Sequence, residues 1–465
     1  MSPRRIILLE FNELCPGLLS KWMAEGRLPN FKAFYRDSEV YVTEADEQKP
    51  PHLEPWVQWY SIHTGLSFQQ HGVAHLTDGP KAGHTDIWEI LLANGKSVAN
   101  CSSMNARGFA SPGSFFLPDP WCTSEQPYPA ELGVFHRVVA RMVQEYSNSS
   151  SPLSAGDYRH FLYFLVFHGL RLTTVSAIGK QIILDRFMDK EETWRRAVLL
   201  DKLQFDLFRH YYRRLKPDFA TFFLNSTAHY QHSYWRHMDP VSFTAPISKE
   251  KRQRYGQAIL FGYEQMDRLL GDFFRLASDG TILILATGLS QQPFLRAEAS
   301  GGQHFYRPHD MGSLLESLDI RPLTVRPVMT HQYLLSFGGE NAATDAKKKL
   351  QNIVCDGDEV FEIAPSEPGT LYLGCQLHSA IPTGAVVGVN GDKVPFFNIF
   401  YELGEIKSGC HHPDGVFWVK SGQHRVHPEK LPILEILPFL LRHYGLENNS
   451  RAATVEVFEN SPVDS

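Results

Sequence analysis

A chain of 465 residues is long enough for one large α/β domain with an embedded subdomain, or for two or three smaller domains. Its 43% apolar and 21% charged residues belong to an ordinary globular protein and exclude a disordered or fibrous one. A formal charge of −6 and a pI near 6.4 give no general attraction for nucleic acid, so no nucleic-acid partner is expected. Any anion must be held locally, by a metal, an arginine or a helix N-terminus.

The chain opens MSPRR and runs into IILLEF, an apolar run too short for a secretory signal, and a cytoplasmic location is expected. Ile6 to Phe11 reads as a strand buried on both faces of a parallel sheet. A helix follows from Pro16, with Leu18, Leu19 and Trp22 on its apolar stripe and Gly26 as its stop. Ser147 to Ser154 reads as a loop ahead of a helical insertion at about 155–215. Within that insertion FLYFLVFHGLRL, Phe161 to Leu172, is too short to span a bilayer; it fits a core, a lid, or a face resting on a membrane.

Trp194, Val198, Phe205, Phe208 and Tyr212 recur at helical spacing before a second buried strand, Phe219 to Leu224. A helix around Glu264 to Ala277 precedes a third strand, Thr281 to Leu285. Strand alternating with helix predicts a doubly wound, mostly parallel sheet with helices on both faces. Residues 1–325 would form this core, 326–405 a small α+β subdomain of short β-like runs, and 406–465 the return of the chain, with a strand at Gly415 to Lys420 and a closing helix at Leu431 to Tyr444. The six cysteines form no CxxC pair, so they suggest neither a zinc ribbon nor a disulfide framework.

Ligands of such sheets sit outside the carboxyl ends of the strands, which directs attention to Glu10-Phe11-Asn12, to Asn225–His232, to Ala286-Thr287-Gly288 and to Gly409–Asp414. Glu10 and Asn12, two apart on one strand, share a face; Asn12 could equally cap the following helix. His304, Arg307 and His309 lie in the segment GGQHFYRPHD, a loop able to close on an anion with Arg307 as clamp, or simply solvated.

These blocks, in order, resemble type I phosphodiesterases and nucleotide pyrophosphatases of the alkaline phosphatase superfamily. ILLEFNELCPGLL with GRLPNFKAF is similar to the family's opening strand, metal-binding Asp and helix start. WYSIHTGLSFQQHGV resembles its "T-G-x-x-P-x-x-H-G" stretch, HYQHSYWRHMDP its "D-x-x-Q-H-x-x-W-x-x-M-D-P" block, and SGCHHPDGVFWVKSG its final "G-x-H-x-x-D-G" block.

The resemblance implies phosphate-ester chemistry with divalent ions, usually zinc, held by Asp and His. Aligned by residue, the first Asp falls on Asn12, the nucleophile on Pro55 or Glu54, the Asp of the "D-x-x-Q-H" block on Ala228, and a later Asp-His pair on Ala286 and Thr287. His232 and His411 match in kind. Two readings follow. One is a metal-assisted hydrolase or transferase acting on a small-molecule, glycan or lipid phosphate, with His232, His411, Asn12 and His229 on the metal, Glu54 and Glu10 catalytic, and Arg307, His304 and Asn225 on the substrate. The other is an inactive binding or scaffold module on the same fold.

Overall fold

The computed structural model describes residues 4–145, 153–187, 190–296, 298, 302–328, 331–364, 367–404 and 406–446. Its main sheet is built around the first strand, Ile6–Phe11, which pairs in parallel with Phe219–Leu224 on one side and Ile282–Ala286 on the other. Val98–Cys101 and Phe115–Leu117 continue the parallel set outward. The strand Asp414–Lys420 then runs antiparallel between Ile282–Ala286 and Ser38–Glu44. The fold is therefore α/β with a mostly parallel, doubly wound sheet.

Alternation along the first strand decides what each face contains, because successive side chains point to opposite sides. Ile7, Leu9 and Phe11 join one core with the helices Pro16–Ala24, Ala197–Leu215 and Ala258–Leu276. Ile6 and Leu8 join the other, with the helices Pro55–Thr64, Ile87–Ala93 and Ile436–His443. Glu10 and Asn12 continue this second series.

The expected insertion divides in two. Ala197–Leu215 is the crossover helix feeding Phe219–Leu224, with Phe205, Phe208, Tyr211 and Tyr212 buried against the sheet. The other two helices lie on the outside of the same core, Ala155–Phe167 against Gly133–Glu145 and Leu172–Phe187 against Ala197–Leu215. Most of the serine-rich stretch Ser147 to Ser154 lies outside the described residues. A third core, from Tyr306 to Phe400, belongs to a separate α+β unit of antiparallel sheets; it draws in Tyr306 to Ile320, upstream of the 326 expected from composition.

The crossover helix also carries a buried carboxyl. Asp201 accepts a hydrogen bond from Ser226 Oγ at the start of the helix Ser226–Met238, and burial raises its pKa to about 7. A carboxyl whose folded pKa exceeds its unfolded value contributes stability at low pH that is lost as pH rises through the folded value, here between about 4 and 7. Asp201→Asn should remove that dependence: in urea titrations at pH 5 and pH 8, the wild type should lose about 2 kcal/mol more than the variant.

Candidate metal centre at the ends of the parallel strands

Two residues beyond the first strand the chain turns through Glu13, whose φ of 63° is left-handed. That turn breaks the alternation of the strand and brings the Glu13 carboxylate to His232, which follows Phe219–Leu224, and to Gln291, which follows Ile282–Ala286. The conformation costs a non-glycine residue about 1–2 kcal/mol and needs support. A relay supplies it: Tyr263 Oη accepts from the Cys15 N–H at 2.8 Å and donates to Gln231 Oε1 at 2.8 Å, and Gln231 Nε2 donates to the Glu13 carbonyl at 2.8 Å.

The carboxylate, fully buried, faces two imidazoles. His232 Nε2 lies 3.3 Å from Glu13 Oε2, and His411 Nε2 lies 3.7 Å from Glu13 Oε1. One donor atom from each of the three falls within 4.8 Å of the others. Each ring is oriented from behind by a backbone carbonyl, Gly409 O at 3.1 Å from His232 Nδ1 and Leu53 O at 2.8 Å from His411 Nδ1. A carbonyl can only accept, so Nδ1 carries a proton on both rings and Nε2 is the atom turned to Glu13. This outer-shell arrangement is the one that fixes tautomer and direction in metal-binding histidines.

Electrostatics follow from the geometry. Burial alone would raise the Glu13 carboxyl, but His411 and His232 outweigh it and hold it far below the usual carboxylate range. Burial likewise works against a charged His411, yet Glu13 and then Glu54 raise its pKa. Two imidazoles and one carboxylate, converging and aimed, suit zinc or another borderline divalent ion in an open site.

Asn12 supports this group without joining it. The Trp59 indole N–H donates to Asn12 Oδ1 at 2.9 Å, which fixes the amide so that Nδ2 donates to Glu13 Oε1 at 2.9 Å and to Asn225 Oδ1 at 2.8 Å. Its one possible ligand oxygen is thus engaged by a donor-only group, and the carboxylate that meets His232 and His411 is that of Glu13. Asn225 is a partner of that amide. Gln291 Nε2 donates to the second Glu13 oxygen and to the Ala228 carbonyl.

Glu10, expected beside Asn12 as an anionic ligand, is fully buried one turn deeper, with Oε1 2.8 Å from His63 Nε2 on the helix Pro55–Thr64. The alternation that puts Glu10 and Asn12 on one face sends both toward that helix, where His63 and Trp59 are one turn apart. His229, half-buried, is outside the three-residue group; burial and then the charge of His232 lower its pKa to about 4.

Glu54 stands at the N-terminus of Pro55–Thr64, with Oε2 3.5 Å from His411 Nδ1. Burial raises its pKa, against the opposing charges of His411 and Lys407. The small unit reaches over this position: burial and then the Glu54 carboxylate push the Tyr372 phenol up to about 12, and the Tyr372 ring lies 5.6 Å from His75.

His304 and Arg307 stand apart from the Glu13 group. His304 Nδ1 pairs with Glu402 at 2.6 Å, and Arg307 is fully buried inside the small unit, its Nε donating to Tyr333 Oη at 2.7 Å and its guanidinium 4.4 Å from that ring. A side chain clamped within a core cannot swing onto an anion. Where the resemblance placed a second set of ligands, Ala286 is buried and Thr287 links strands: its Oγ1 accepts from Val416 N–H at 2.9 Å. Among the described residues no second group of metal-binding side chains is present.

Close approach makes the site intolerant at Gly409. A Cβ there would overlap Gln291 Oε1 and the Gln231 carbonyl, the two glutamines that hold Glu13.

No protein-family model matches the sequence, and no curated protein matches it. Among solved structures the chain is similar to phosphonoacetate hydrolase from Sinorhizobium meliloti 1021 in complex with phosphonoformate, at 14% identity and TM-score 0.39 over 95% of this chain and 96% of that one. It is similar to murine ectonucleotide pyrophosphatase/phosphodiesterase 5 in complex with AMP, at 10% identity and TM-score 0.39 over 95% of each chain. A third is the alkaline phosphatase PafA, at 12% identity and TM-score 0.45 over 96% of each chain.

Elemental analysis of protein equilibrated with zinc and then desalted should give about one ion per chain in the wild type. His232→Ala, His411→Ala and Glu13→Gln should each bind the ion on the order of 100-fold more weakly, whereas Glu10→Gln should leave its stoichiometry unchanged. Gly409→Ala should cost about 1–3 kcal/mol in urea unfolding and weaken ion binding in step.

Proposed function

We propose that the chain is a single-metal hydrolase of small phosphate esters, in which Glu13, His232 and His411 hold one divalent ion and Glu54 takes the place of a hydroxyl nucleophile as a base for water. The observation that carries this reading is the pair of imidazoles presenting Nε2 to one buried carboxylate, with Glu54 3.5 Å from His411. The ion, when bound, would draw charge from a phosphoryl oxygen.

The chain's own groups supply the rest. Glu54, its pKa raised by burial, is basic enough to take a proton from a water poised for attack. The water oxygen bonds to phosphorus as the ester P–O bond breaks, and the departing oxygen keeps the electron pair. Lys407, whose charge is felt by both Glu54 and His411, places a cation at the same opening for an anionic substrate. The resemblance of the sequence blocks to type I phosphodiesterases supports the same chemistry, and the missing hydroxyl at Glu54-Pro55 argues against a covalent phospho-enzyme.

Zinc- or manganese-loaded protein, assayed on chromogenic phosphodiester, phosphomonoester and phosphonate substrates, tests the proposal. Glu54→Gln should lower kcat by about 10²–10⁴-fold without changing ion content. A loaded wild type inert toward all three classes would leave the binding or scaffold reading in its place.

A further inference from the structure

The successive helices Ala155–Phe167 and Leu172–Phe187 carry the largest group of exposed apolar side chains among the described residues. On Ala155–Phe167, Phe161, Phe164 and Leu165 turn into the core, while Tyr158, Leu162, Tyr163, Val166 and Phe167 line the opposite face. Tyr163 and Phe167 are 65% and 61% exposed, and on the second helix Leu172 is 87% exposed, followed by Val175, Ile182 and Ile183. An apolar surface of this extent is rare on a protein face that meets only water.

Charge around it is opposite in sign to that of the molecule. Arg159, Lys180 and Arg186 are exposed on the same two helices, whose Asp185 is paired with Arg196 at 2.9 Å. Arg141 and Arg137 lie near Asp157 at the start of Ala155–Phe167. Arg209, with Nη2 donating to the Gly169 carbonyl at 3.2 Å, lies with Arg213 at the turn between the helices. Residues 133–216 hold 14 Lys and Arg against 8 Asp and Glu, a net +6 in a chain of −6, so all the other residues together carry −12.

We propose that these two helices dock the protein on an anionic lipid surface, with their exposed aromatic and aliphatic side chains among the acyl chains and their arginines and lysines among the headgroups. No helix of the described residues is long and apolar enough to cross a membrane, so the contact is peripheral. A bilayer matches both properties at once, an apolar interior under negative headgroups. A second copy of the chain matches only one, since a two-fold contact through this face would set Arg159, Lys180 and Arg186 against like charges. The inference is independent of the proposed hydrolysis.

Sedimentation of the full-length protein with vesicles is the test. The wild type should pellet with phosphatidylcholine vesicles containing phosphatidylglycerol about tenfold or more better than with phosphatidylcholine alone, and added salt should weaken the binding. The double variant Leu162→Glu/Phe167→Glu should remain in the supernatant while keeping the zinc stoichiometry and circular dichroism of the wild type. Lys180→Glu/Arg186→Glu, which leaves the apolar face intact, should lose the preference for anionic vesicles. A wild type that ignores both kinds of vesicle overturns the proposal. So does a wild-type dimer in light scattering that the apolar double variant converts to monomer without any effect of vesicles, or vesicle binding that survives both variants.

Discussion

One buried negative charge organises the functional end of this molecule. A carboxylate removed from water without compensation would be costly enough to protonate or to unfold its surroundings. Glu13 stays ionised because two imidazoles and the amides of Asn12 and Gln291 surround it. Each of those groups is in turn held by a different element: Asn12 by Trp59, His411 by the Leu53 carbonyl, His232 by the strand containing Gly409. Helices and strands remote in sequence thus meet over one charge. The left-handed turn that delivers it is itself secured by the Tyr263–Gln231 relay.

Much of the fold could be read from the order of residues, because fully buried parallel strands leave unbroken apolar runs. Ile6–Phe11 and Phe219–Leu224 match their expected limits, and the third strand is shifted by one residue to Ile282–Ala286. The site was legible only in part. Glu54, His232 and His411 are brought close together by the structure. Glu13 is not marked by the sequence, because the block that resembles a known metal motif puts its Asp at Asn12, and because strict alternation predicts that the next side chain points away. A left-handed residue cancels that rule, and no local pattern announces one at a glutamate. The available hint was a second carboxylate directly after a strand buried on both faces.

Arg307 and the helices before Phe219 teach the complementary lesson. Gly-rich surroundings suggest a mobile arginine at 307, but its side chain is fully buried against Tyr333, in a unit whose core runs on to Phe400. Periodicity marks Val198 to Tyr212 as the helix that the structure has at Ala197–Leu215, while Trp194 falls in the short 3-10 turn Lys190–Arg196 before it. Ala155–Phe167 is buried on one side only.

Thr287 carries an implication for how such a centre can change. Its hydroxyl ties the Asp414–Lys420 strand to the sheet, and Gly415 and Thr43 press against it closely enough that a Cβ on Gly415 would overlap both threonines. Position 287 is therefore a seam in the sheet. An imidazole there would open that seam unless neighbouring strands changed at the same time. Packing in the strand beneath the Glu13, His232 and His411 group thus limits which side chains could be added to it.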